Sequence, residues 1–175
     1  MLMLLARLSS AGDGSALARA AEPWNSLYSD SKLVSSAVLF FHLVPLLLAG
    51  GAALAADRAT IRAARASTDD RARQLVELSR THAIVLGGLA LSLLSGVLLF
   101  LSDVDTFLGS PVFWAKLGMV ALLLLNGFVM TRTERALARG GNEGALWGPL
   151  RTIAVLSLVL WFATTLVGVL LTNYA

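Results

Sequence analysis

LVSSAVLFFHLVPLLLAGGAALAA, residues 33–56, decides the fold of this chain. These 24 residues carry no formal charge and are interrupted only by His42 and Pro45. At about 1.5 Å per residue a helix of this length reaches roughly 36 Å, enough to cross a hydrocarbon core of roughly 30 Å with some tilt. The stretch therefore predicts a transmembrane helix, and three further apolar runs follow it. They cover about 81–101, 111–131 and 152–172. The expected architecture is all-α, an integral membrane bundle of four up-and-down helices, because short connections make neighbouring spans antiparallel.

Composition agrees. Of 175 residues, 57% are hydrophobic and only 14% are charged, whereas a soluble domain carries about 25% charge. Mean hydropathy is +0.75. Cysteine is absent, which excludes disulfides, thiolate metal sites and a cysteine nucleophile. With two histidines, His42 and His82, no histidine-rich metal cluster forms within one chain. The arginines gather in loops, a pattern of membrane topology and not of nucleic-acid binding.

Residues 1–32 are set apart from the four-span domain 33–175 as an interfacial N-terminal segment. Met1, Leu4, Leu5 and Leu8 follow helical spacing, Gly12-Asp13-Gly14 reads as a break, and a second short helix is expected to end before Pro23. Ala18-Arg19-Ala20 resembles a signal cleavage site, but the apolar run before it is short and interrupted by Arg7. Trp24 and Tyr28 suit the headgroup level. The connection 57–80 is expected to extend the first helix, turn near Ser67 to Asp70 and resume as helix. Ser102–Ser110 reads as a loop, Pro111 as a first-turn residue, and Gly140, Gly141 and Gly144 as loop glycines.

The connection 57–80 carries six arginines and 132–151 carries four, ten of the fourteen basic residues, while Ser102–Ser110 carries none. The positive-inside rule then places those two connections in the cytoplasm of a bacterial inner membrane and both termini outside.

Inside the spans the small residues are the clearest pattern. Gly88, Ser92 and Gly96 recur every four residues in the second span, and Gly50-Gly51 follow Ala49 in the first. Where lipid removes the hydrophobic drive between helices, small side chains that let backbones approach matter most. These two faces are expected to pack together. His42 is the candidate cofactor ligand, against a plainer role as a hydrogen-bond donor between helices. Pro45 frees the carbonyl of Phe41, which adds polarity beside it. His82 is not expected to join His42 on one haem, because it enters from the opposite face and lies roughly 15 Å deeper. Lys116 is expected to snorkel outward toward Asp103 or Asp105. Asn126 is expected to bond between helices, with His82 as its partner. Thr164 and Thr165 suit bonds to their own backbone, and Trp161 suits packing. The spans hold no evident paired carboxylates, nucleophile–base set or phosphate loop, so no catalytic or metal residue is assigned and an enzyme is not expected.

A resemblance adds to this. His42 followed by Gly50-Gly51 and Asp57-Arg58, then Ser95-Gly96 with Phe100, then Phe113-Trp114-Ala115-Lys116-Leu117 and Asn126-Gly127, is similar to a group of uncharacterised bacterial four-helix inner-membrane proteins with the layout of the copper-resistance D type. The likeness covers about Leu33 to Asn126. It implies that haem or metal, where such proteins hold it, sits on a first-span histidine, which maps here only to His42. The expected function is an accessory subunit of a larger photosynthetic or respiratory membrane complex, in contact with the bilayer and with other membrane subunits. The alternative is a small redox protein carrying haem b, or a bound pigment, on His42.

Overall fold

A computed structural model describes the backbone of residues 2–140 and 142–174, and the side chains of 16–140, 142 and 145–173. The fold is all-helical: α1 (Leu2–Asp30), α2 (Lys32–Ala63), α3 (Thr68–Ser102), α4 (Val104–Gly109), α5 (Pro111–Ala138) and α6 (Glu143–Tyr174). Four helices are long and apolar enough to cross a membrane: Lys32–Ala63, Thr68–Ser102, Pro111–Ala138 and, within α6, Ala145–Asn173. This is a multi-pass membrane bundle, as the four apolar runs predict.

The helices outrun the bilayer. α2 has 32 residues and α3 has 35, lengths of roughly 48 and 52 Å. Most of the connection 57–80 is thus helix, and the turn between them spans only 64–67. Local chemistry explains its sharpness. Ser67 caps α3 by accepting from the Asp70 amide at 3.3 Å while its own hydroxyl donates to Asp70 Oδ2 at 2.7 Å. Arg71 reaches back to the carbonyl of Ala64 at 2.9 Å, at the end of α2, and lies over the Trp147 ring at 5.5 Å.

Three local expectations are corrected. α1 runs unbroken through Gly12–Gly14 and Pro23; a single proline removes one backbone bond, and the following residues are anchored on α3. Trp24 Nε1 donates to Leu98 O at 2.8 Å and Asn25 Nδ2 to Ser102 O at 2.7 Å. The segment Ser102–Ser110 is no plain loop, since Asp103 accepts from the Thr106 amide and starts α4, whose Val104 is buried. Gly144 lies in α6, whereas Gly140, at φ +80°, ends α5 as a loop glycine should. Gly141, Met1 and the side chains of Leu4, Leu5 and Leu8 fall outside the described residues.

α2 is the central element. It packs along α3 on one side and α6 on the other, and α5 packs on α6, while α3 and α5 meet only lightly. The core has two parts. One, at the arginine-rich end, gathers Ala63, Leu78, Met130, Leu137, Trp147, Leu150 and Ala154; the other, at mid-depth, gathers Ala49, Ala53, Leu123, Leu160 and Trp161.

The small-residue seam forms as expected over Gly88, Ser92 and Gly96. A Cβ on Gly88 would lie 2.8 Å from both Ala49 Cβ and the Pro45 carbonyl, and one on Gly96 would lie 3.2 Å from the His42 ring. The partners of the other two glycines differ from expectation. Gly50 faces Trp161 of α6, at 3.3 Å from a built Cβ, and Gly51 faces open space. Successive helical residues point about 100° apart, so only one of an adjacent pair can sit in any one seam.

Candidate functional site

At the arginine-rich end, α2 and α5 each carry an acid into the protein. On α2 the buried stripe Ala49–Ala53–Asp57–Thr60 keeps the spacing of one helix face, and on α5 so does Asn126–Met130–Glu134–Leu137. Asp57 is 2% exposed and Glu134 is 4% exposed. An ionised carboxylate so deeply enclosed requires partners. Glu134 finds one in His82, whose Nδ1 stands 3.0 Å from Oε2. The contact is close but not directional, since Oε2 completes no hydrogen bond among the described residues; it is an ion pair whenever the ring carries its proton. Asp57 faces the Ser157 hydroxyl and lies within electrostatic reach of His82, and its Oδ2 has no partner among the described residues. Nearby, Gln74 Nε2 donates to Thr60 Oγ1 at 3.1 Å.

Asp57 and His82 line a cleft of about 710 Å³ between α3 and α5, floored by α2 and α6. Leu86, Leu89, Leu124 and Phe128 form its apolar walls, and Arg132, Arg135 and Arg139 stand along one side. The cleft exists because α3 and α5 are held apart: each packs on α2 or α6 and scarcely on the other.

A second polar group surrounds His42 nearer the other end. Its Nδ1 lies 2.9 Å from Ser92 O and 3.3 Å from Ser95 Oγ. Ser92 Oγ donates to His42 O at 3.2 Å. Ser95 Oγ sits 3.1 Å from Phe41 O, the carbonyl that Pro45 frees, and 2.9 Å from Leu91 O. The imidazole thus joins α2 to α3 through backbone and hydroxyl groups. The second histidine is committed to Glu134.

Several site expectations are revised. Asn126 Nδ2 donates to Ile153 O at 3.3 Å, tying α5 to α6, and does not meet His82. Lys116 makes no ion pair with Asp103 or Asp105. Its ammonium turns inward, 4.0 Å from where a Cβ on Gly168 would stand, and its charge reaches His42. Thr165 bonds its own backbone at Trp161 O as expected, whereas the buried Thr164 hydroxyl has no partner among the described residues. Asp57 and Glu134 were both legible as acids but not as buried ones. The signal lay in their helical register with apolar and small neighbours, beyond the end of each apolar run.

No family model, curated protein or solved structure matches the chain. Fold and composition define it as a multi-pass α-helical membrane protein.

Proposed function

We propose that this chain is an accessory subunit of a larger bacterial inner-membrane complex, of photosynthetic or respiratory type, acting by association and without catalysis of its own. One observation carries the reading: the bundle leaves helical glycines unfilled on its outer surface. Gly51 on α2, Gly87 on α3 and Gly118 on α5 are exposed, and a Cβ on any of them would meet nothing within 4 Å. Exposed leucines suit lipid equally well, but glycine offers acyl chains no side-chain contact and a neighbouring helix a close backbone approach. Around Gly87 and Gly118 stand the bare apolar side chains of Ile84, Leu91 and Leu94 on α3, and of Trp114, Leu122 and Leu125 on α5.

The haem alternative draws less support. A ring bonded into the α2–α3 seam, with the only other histidine paired to an acid elsewhere, supplies no second axial ligand. The haem or metal role implied by the resemblance to the copper-resistance D layout falls on the same His42.

Association is tested by purification in mild detergent with mass spectrometry of co-purifying chains. Gly87→Leu and Gly118→Leu together should leave the monomer's unfolding temperature unchanged and reduce partner recovery severalfold. A wild-type chain that always migrates alone would end this reading.

Orientation follows from the arginine-rich connections, with both termini and α4 outside and the N-terminal helix at the interface. Cysteines at Ser67 and Asn142 should resist an impermeant thiol reagent in intact cells, while cysteines at Ser102 and Asn173 should react. Labelling of the first pair alone would invert the topology.

A further inference from the structure

The cleft between α3 and α5 holds two unmet chemical demands that one molecule can satisfy. The first is positive charge. Arg132, Arg135 and Arg139 follow the spacing i, i+3, i+7, all line the cleft and all are exposed. Among the described residues none of the three is in an ion pair; the neighbouring surface arginines Arg73 and Arg80 are paired instead with Asp70 and Glu77. The second is an acceptor without a donor. Asp57 lines the same cleft, is 2% exposed, and its Oδ2 has no hydrogen-bond partner among the described residues. Apolar walls lie between these groups and the middle of the bundle. Phe128 and Leu124 stand four and eight residues before Arg132, roughly 6 and 12 Å further along the helix. On the opposite wall Leu86 and Leu89 continue from His82 in the same direction.

We propose that this cleft binds an anionic membrane glycerophospholipid whose headgroup carries a free hydroxyl, of the phosphatidylglycerol class. The phosphate sits among the three arginines, as basic pockets between membrane helices hold lipid headgroups. The headgroup hydroxyl donates to Asp57 Oδ2, which converts an unpaired buried acceptor into a paired one. One acyl chain runs past Phe128, Leu124, Leu86 and Leu89 and covers the apolar walls. A free phosphate would meet the arginines alone and leave those walls bare. A transmembrane helix of a partner would cover the walls but brings no phosphate to the arginines. The proposal stands apart from the accessory-subunit reading, since it concerns the cleft and not the glycine-bearing outer faces.

The test uses the full chain in neutral detergent, with thermal unfolding measured after adding phosphatidylglycerol, phosphatidylmethanol (the same charge without the hydroxyl) or phosphatidylcholine. At lipid about tenfold above its dissociation constant, phosphatidylglycerol should raise the unfolding temperature by roughly 3–6 °C over phosphatidylcholine. Phosphatidylmethanol should fall between them. The triple variant Arg132→Gln, Arg135→Gln, Arg139→Gln should lose the preference. A control removing equal charge outside the cleft, Arg58→Gln, Arg62→Gln, Arg65→Gln, should keep it. Equal loss in both triples means diffuse attraction to a basic face and overturns the site. Equal responses to phosphatidylglycerol and phosphatidylmethanol overturn the role of Asp57. Stabilisation by inorganic phosphate alone to the same extent overturns the lipid. Native mass spectrometry of the wild-type protein mixed with equal amounts of phosphatidylglycerol and phosphatidylcholine needs no variant; adducts of the two in equal number would also refute the proposal.

Discussion

Gly88→Leu should destabilise the bundle by about 3 kcal/mol, enough to lose most folded protein on extraction. Even a first added carbon would stand 2.8 Å from Ala49 Cβ and from the Pro45 carbonyl, and the second of these is backbone that no side-chain rotation can move. α2 and α3 would have to separate along the seam that also holds His42 against Ser92 and Ser95. Neighbouring glycines set the scale. Gly87→Leu, one residue earlier but facing open space, should change stability by no more than about 0.5 kcal/mol. Gly96→Leu should fall between, because its obstacle is the His42 ring at 3.2 Å, and Leu98→Phe on an exposed position should cost little. Thermal unfolding in detergent with size-exclusion recovery reads all four. Equal tolerance at Gly87 and Gly88 would refute the close seam.

The second large effect is an asymmetry. His82→Ala should cost about 3–4 kcal/mol at pH 7, and Glu134→Ala only about 1–3 kcal/mol. Both remove one partner of the same buried contact. They differ in what the survivor can do. The imidazole left alone keeps 18% of its side chain exposed and lines the cleft, where water can meet its ring nitrogens. A carboxylate left alone at 4% exposure is an unpaired buried acid without that access to water. Removing the partner of a buried acid typically costs about 3–5 kcal/mol, which sets the scale of the His82→Ala loss. The double variant should lie close to Glu134→Ala, because deleting the acid removes the problem that deleting the histidine creates. Unfolding of the three variants, taken as a double-mutant cycle, measures this. Equal single-variant costs would refute the asymmetry, and a coupling energy near zero in the cycle would show that the 3.0 Å contact carries no charge–charge coupling.

What the sequence determined by itself is the membrane architecture. Three charge-free runs and a fourth whose one charge is Lys116, each of about 20 residues or more, leave no alternative to helices, because in lipid every backbone polar group must be satisfied within its own segment. The small-residue face of α3 was equally legible at Gly88, Ser92 and Gly96, since helical periodicity needs no knowledge of the partner. The tertiary structure decided everything that depends on which helices touch. Gly50 and Gly51 are neighbours in sequence, yet one supports Trp161 and the other faces outward. Asn126 and His82 are both polar and both inward, yet Asn126 is bonded to Ile153 and His82 is paired with Glu134. Asp57 and Glu134 sit just past the ends of the apolar runs, where a hydropathy reading assigns them to water. They are buried because α2 and α5 continue as rigid helices beyond the apolar stretch and keep their inward stripes in register. Hydropathy reports the mean polarity of a segment, whereas burial of one residue depends on the angle at which its helix face meets a neighbour. The α3–α5 cleft is the extreme case, for it arises from a contact that two helices, each packed elsewhere, do not make.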